Sequence, residues 1–179
     1  DDIRAGFRLS LAGSANYFGF KPDMACYCKA IANGQSISAL VGTNALRSAV
    51  SDVFYTGSYW ASSAAMAGAI ATVNELKRLD GANLMLAKGR RLTEGMEAAA
   101  ADVGLNLKVS GIPSMFYMRI TNDDSLQMSQ EFCAETAMRG VFFVSHHNHF
   151  INCSLTDADI EQTIQISHEA FKVVSERHR

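Results

Sequence analysis

Lys29 stands directly ahead of Ala30-Ile31-Ala32-Asn33-Gly34 and, shortly after, an apolar run over residues 37–41. A strongly hydrated ammonium in such company is either a surface group at a turn or an amine held in a pocket for chemistry. In a pocket, partial desolvation lowers the amine's pKa and frees it to attack a carbonyl, as a Schiff-base lysine does. Most lysines ahead of a Gly are turn residues, so the spacing alone leaves both readings open.

Other residues could also carry chemistry. In His146-His147-x-His149, an extended backbone turns His147 and His149 to one face. Two histidines without a nearby carboxylate or thiolate make an incomplete metal site. A polar loop, or a role near a substrate entrance, are the other readings. Cys26, Cys28, Cys133 and Cys153 match no disulfide framework and no paired C-x-x-C zinc pattern. They read as reduced thiols of a cytoplasmic protein. Cys26-x-Cys28 sits close to Lys29, so a redox role is one reading, but small buried hydrophobes are the simpler one. Tyr59 and Trp60 could line a pocket, the core or a subunit interface.

These residues need elements to position them. Pro22-Asp23 reads as a turn into a short buried strand over residues 24–28, which ends near Lys29. Residues 4–20 read as an irregular connection punctuated by Gly6, Gly13 and Gly19. Residues 37–42 read as a second buried strand, and 44–50 as a short helix. From Ser62 the period turns helical, with Ala65, Ala69, Val73 and Leu76 on one stripe and a stop at Asp80-Gly81. A second long helix over 82–103 carries Leu84, Leu92, Met96 and Ala99. Residues 105–109 and 114–120 read as strands, 126–139 as an amphipathic helix, and 141–144 and 150–153 as strands again. Thr156-Asp157-Ala158-Asp159 is a capping box opening a last helix with Ile160, Ile164, Phe171 and Val174 on one face. The order predicts α/β material followed by a compact α+β unit, joined by a long helical hairpin.

The bulk numbers fit one domain or one and a half. The chain has 179 residues, 48% hydrophobic and 19% charged, with a net charge of −2. Such a balance favours neither nucleic acid nor an anionic membrane surface. No apolar run approaches the roughly 20 residues that span a bilayer. No signal peptide is visible. The chain opens on Asp1-Asp2-Ile3 without an initiating Met, which points to a fragment, a processed chain or partial coverage.

Asp1-Asp2-Ile3, then Gly6-Phe7-Arg8, then Lys29-Ala30-Ile31-Ala32-Asn33-Gly34 about 28 residues after Asp1, form an ordered set. It resembles the signature of class III pyridoxal-phosphate aminotransferases, which include glutamate-1-semialdehyde aminomutase. Their usual form is Asp-Glu-Val followed by Gly-Phe-Arg. The resemblance implies that Lys29 is the cofactor lysine, and that Asp1 pairs with the pyridine nitrogen and keeps the ring an electron sink. It also implies that Ile3 packs on the ring face. The stretch from Thr56 to Val73 is similar to the family segment whose Thr donates to the cofactor phosphate, in many members from the neighbouring subunit. The register places Ser58 there, a departure that keeps the hydroxyl and loses the methyl that stiffens χ1.

The resemblance runs to the end of the chain and implies a fold-type I aminotransferase, α/β, seen as its C-terminal portion. Residues 1–82 would be the C-terminal part of the large domain and 83–179 the small domain. Its implied activity is amino-group transfer, as an aminotransferase or a 2,1-aminomutase, on a small-molecule amino donor and acceptor. A homodimer is implied, and an N-terminal segment with a phosphate-holding Gly/Ser-rich loop is needed to complete the site. "WASS" after Ser58 leans towards members acting on amino sugars. The alternative is a truncated, non-catalytic paralogue that keeps the fold for oligomerisation.

Overall fold

A computed structural model describes residues 1–54 and 56–178. The chain divides into two compact units, Asp1–Asn83 and Leu84–Arg179.

In the first unit, helix α1 (Ser14–Phe18) interrupts the stretch expected to be irregular. Its start is fixed by a distant group: the Asp2 carboxylate accepts the Ser14 N–H at 2.8 Å. Gly19, at φ 74°, ends it in the left-handed region. Strand β1 (Met24–Tyr27) pairs antiparallel with β2 (Ala39–Gly42), Met24 opposite Gly42 and Tyr27 opposite Ala39. Between them lies a 3₁₀ turn, Lys29–Ile31. A second 3₁₀ turn, Asn44–Leu46, leads to the four-residue helix α2 (Ala49–Asp52) where one short helix was expected. Helix α3 (Ser63–Arg78) packs against the Lys29–Ile31 turn. Of its expected stripe only Ala65 is buried; Ala69, Val73 and Leu76 are half-buried.

Helix α4 (Gly81–Asp102) begins at the division between the units. Its Met85, Leu92, Met96 and Ala99 are buried in the second unit. There β3 (Leu107–Ile112) and β4 (Met115–Ile120) form an antiparallel hairpin, Leu107 opposite Ile120. Phe116, Met118 and Ile120 point inward and alternate with half-buried residues, the period-2 pattern of a one-faced sheet. Helix α5 (Gln127–Met138) is capped from outside: buried Asp123 accepts the Ser129 N–H at 2.8 Å. Burial pushes that carboxyl up, but the N–H groups of Ser129, Met128 and Gln127, with the Ser129 hydroxyl, outweigh it and leave its pKa lowered. Helix α6 (Asp157–Arg177) opens with the expected capping box, Thr156 and Asp159 bonding each other's backbone N–H.

The core of this unit is aromatic. Phe132 of α5 stacks on Phe171 of α6 at 4.2 Å between centroids, and on Phe143 at 5.8 Å. Buried Glu135 binds Arg139 at 2.6 Å and Arg177 at 3.0 Å, tying α5 to the end of α6. Neither 141–144 nor 150–153 is a strand, contrary to expectation. The chain around the second segment does reach the β4 hairpin through two backbone bonds, His149 N–H to Phe116 C=O of β4 and Ile151 N–H to Ser114 C=O just before it. Two such bonds hold a loop against a strand without building a ladder.

Candidate active site

Lys29 follows β1 by two residues and sits at φ 47°, a left-handed conformation unusual for a residue with a Cβ. Asn33 at φ 46° and Gly34 at φ 106° continue the same tight path, which swings the chain back towards β2. Lys29 is exposed within these residues. No hydrogen bond or ion pair engages its Nζ among the described residues.

Asp1 is also exposed. Its Oδ1 accepts the Ile3 N–H at 2.8 Å in an Asx-type turn, and half-buried Ile3 is thereby held beside it. Asp2 ties this segment to the lysine strand: its N–H donates to the Cys26 C=O at 2.9 Å, three residues before Lys29. Carboxylate and amine thus come from two chain segments joined by a backbone bond.

Ser58 lies on an exposed stretch ahead of α3 and bonds neither residue among those described. Next to it, Trp60 lies against Gly57. A Cβ on Gly57 would come within 1.9 Å of the indole Nε1, so a larger residue there displaces the Trp60 ring. Tyr59 and Trp60 are exposed, as are Val53 and Phe54 before them.

The three histidines separate. His146 and His147 are exposed. The His149 ring is largely buried, stacked on Phe116 at 5.1 Å and edge-on to Phe143 at 5.1 Å. Its Nε2 accepts the Val144 N–H at 3.2 Å, so Nδ1 carries the proton. Burial, then the neighbouring His147, push its pKa down to about 4, and backbone bonds at Phe116 and Val144 only partly oppose this. Among the described residues no group of three or more His, Cys, Asp or Glu side chains is placed to hold a metal ion. The cysteines are free thiols, and burial pushes the Cys133 thiol up to about 11, far from a reactive thiolate.

The fold is shared with a solved structure, the PLP internal aldimine form of the FumI protein from Sphingopyxis sp. MTA144. The TM-score is 0.96 at 34% identity, over 99% of this chain and 43% of that one. The architecture is therefore the C-terminal part of a fold-type I aminotransferase. The sequence profile of the family Aminotransferase class-III matches residues 1–171, and the chain belongs to that family. It is 35% identical over 174 residues to the aminopentol aminotransferase of Sphingopyxis macrogoltabida, covering 97% of this chain and 41% of that protein. It is 30% identical over 178 residues to the 3-aminobutyryl-CoA aminotransferase of Cloacimonas acidaminovorans, covering 97% and 43%. The chain thus spans about two fifths of the length of the curated relatives it matches.

Sequence reasoning missed one residue of this site, Asp2. A second acid in a row reads as solvated surface, yet Asp2 is only 6% exposed. The partner that encloses it is Ser14, 12 residues along the chain, which no local pattern links to position 2.

Proposed function

We propose that the protein containing these 179 residues transfers amino groups using pyridoxal 5'-phosphate, with Lys29 as its covalent anchor and proton carrier. The observation that supports this reading is the bond from Asp2 N–H to Cys26 C=O, which joins the segment of Asp1 to the strand that leads to Lys29. The donor set fits the cofactor part by part. An exposed primary amine suits its aldehyde, the outer oxygen of Asp1 suits its ring nitrogen, and the unengaged Ser58 hydroxyl suits its phosphate. When bound, the cofactor supplies an electron sink for charge that develops on the substrate carbon.

The chain's own residues then have separable tasks. Lys29 holds the cofactor through Nζ and, once displaced, carries a proton at that nitrogen. Its exposure and lack of a partner leave the amine able to swing between both tasks. Asp1 holds the ring-nitrogen proton by charge–charge attraction. Ile3 offers an apolar contact to the ring face. Ser58 contributes one phosphate donor among the several that an anionic group needs.

Amino transfer is preferred to 2,1-amino migration because the relatives at 35% and 30% identity are named aminotransferases. An aminopentol is the first amino donor to test, given the name of the former. A homodimer, completed by further chain of the whole protein, accounts for the exposed apolar residues around Phe54 and Tyr59.

Borohydride reduction of the full-length holoprotein, followed by peptide mass mapping, checks the assignment. The pyridoxyl mass is expected on Lys29. A label on Lys21 or Lys88 removes it.

A further inference from the structure

Asp2 is the most constrained side chain near the proposed site, and no step above uses it. It is a carboxylate at 6% exposure, with no ion pair among the described residues. Its Oδ2 accepts the Ser14 N–H at 2.8 Å, and its Oδ1 accepts the Ser14 hydroxyl in a shorter bond. Its own N–H is spent on Cys26 of β1. Its C=O accepts the Gly6 N–H at 2.9 Å. Every polar group of the residue is therefore engaged, on three different segments.

The glycines around it are fitted to that arrangement. A Cβ on Gly13, which sits at φ 81°, would come within 2.0 Å of Asp2 Oδ2. A Cβ on Gly6 would come within 2.6 Å of the Asp2 carbonyl oxygen and 2.7 Å of Tyr27 Cδ1. Real Cβ atoms do not approach so closely, so both positions exclude any larger residue unless Asp2 moves. A buried charge held only by an N–H and a hydroxyl is costly to maintain. A surface turn does not need one.

We propose that Asp2 is a positioning residue: by clamping Ser14 on one side and β1 on the other, it fixes the backbone of Asp1 relative to Lys29 and so sets where the Asp1 carboxylate meets the cofactor ring. This rests on the assignment of Asp1 and Lys29 above. The physical basis is short leverage. Asp1 is one residue from the clamp, and its side chain is held locally by the bond to Ile3 N–H. Loosening the clamp removes a fixed attachment of the adjoining backbone and so shifts the Asp1 carboxylate. Misplacement of about 1 Å can cost on the order of 10²-fold in rate.

The test uses the full-length holoprotein reconstituted with pyridoxal phosphate labelled with ¹⁵N in the ring. The ¹⁵N chemical shift reports ring-nitrogen protonation directly, and fold stability alone does not move it. Asp1→Asn is the reference and should shift the signal towards the unprotonated position. Asp2→Ala should shift it in the same direction, because it removes both acceptors of the Ser14 donors. Ser14→Ala, which keeps the carboxylate and removes one donor, should give a smaller shift the same way and carries the test if Asp2→Ala does not fold. A signal unmoved in the folded Asp2 and Ser14 variants, while Asp1→Asn shifts it, overturns the positioning role. A signal unmoved in Asp1→Asn overturns the underlying site assignment instead.

Discussion

At the scale of single residues, burial falls where residue type alone would not put it. Asp2, with nothing in its type to suggest burial, is enclosed. His149 is a second case. Its ring is neutral, because burial holds its pKa at about 4, below the unfolded value of about 6.5. The unfolded chain therefore takes up a proton at this position between about pH 6.5 and 4 while the folded chain does not. Stability from this group is complete above that window and is lost as pH falls through it, by up to about 3 kcal/mol. The expected result is a melting temperature that declines from pH 6.5 to 4, with a shallower decline in His149→Phe, which keeps the stacking on Phe116. Equal slopes in both proteins would show that His149 is charged in the fold. The proposed positions Asp1, Ile3, Lys29 and Ser58 rest on an ordered pattern along the chain. The burial of Asp2 was not legible there, because it depends on Ser14, 12 residues away, and on two glycines that make room.

At the scale of elements, local signals worked where the stabilising interactions are local. The helices over 63–78, 81–102, 127–138 and 157–177 follow from 3.6-residue periodicity, and the last also from a capping box written in neighbouring residues. The segments 141–144 and 150–153 carry β-branched and aromatic residues and read as strands, yet they lack ladders. Phe143 and Ile151 are buried there while Phe142 is exposed, so alternating burial exists without the pairing that alternation suggests. Helix α1 was hidden for the opposite reason: its five residues carry no caps of their own, and its first N–H is satisfied by Asp2. The capping box of α6 offers a direct check. The Thr156 hydroxyl accepts the Asp159 N–H at 3.1 Å, and the Asp159 carboxylate accepts the Thr156 N–H at 2.7 Å. Thr156→Ala should lower stability by about 1 kcal/mol, read as a reduced urea midpoint with an unchanged slope. Thr156→Ser, which keeps the acceptor, should stay close to the parent.

At the scale of the whole molecule, the two units differ in how completely they enclose their apolar residues. The second unit buries a continuous aromatic and aliphatic set from Leu92 to Val174. The first leaves Leu40 at 54%, Val41 at 49% and Phe54 at 94% exposed. Leu40 and Val41 are adjacent on β2 and so face opposite sides of it, which means that both faces of this strand are apolar and open. With Met24, Leu46, Val50 and Val53 they line an open cavity of about 600 Å³. A strand apolar on both faces belongs inside a layered α/β sheet, where helices cover both sides. Such a strand at an open edge also invites pairing with another chain. Residues 1–179 expressed alone should therefore self-associate and bind pyridoxal phosphate far more weakly than the full-length protein, since the proposed phosphate residue, Ser58, would be a single donor. Light scattering and a spectral cofactor titration on both proteins test this. A monodisperse monomer of the 179 residues that binds the cofactor as tightly as the full-length protein would mean that the open faces of β2 need no cover and that this chain holds the phosphate by itself.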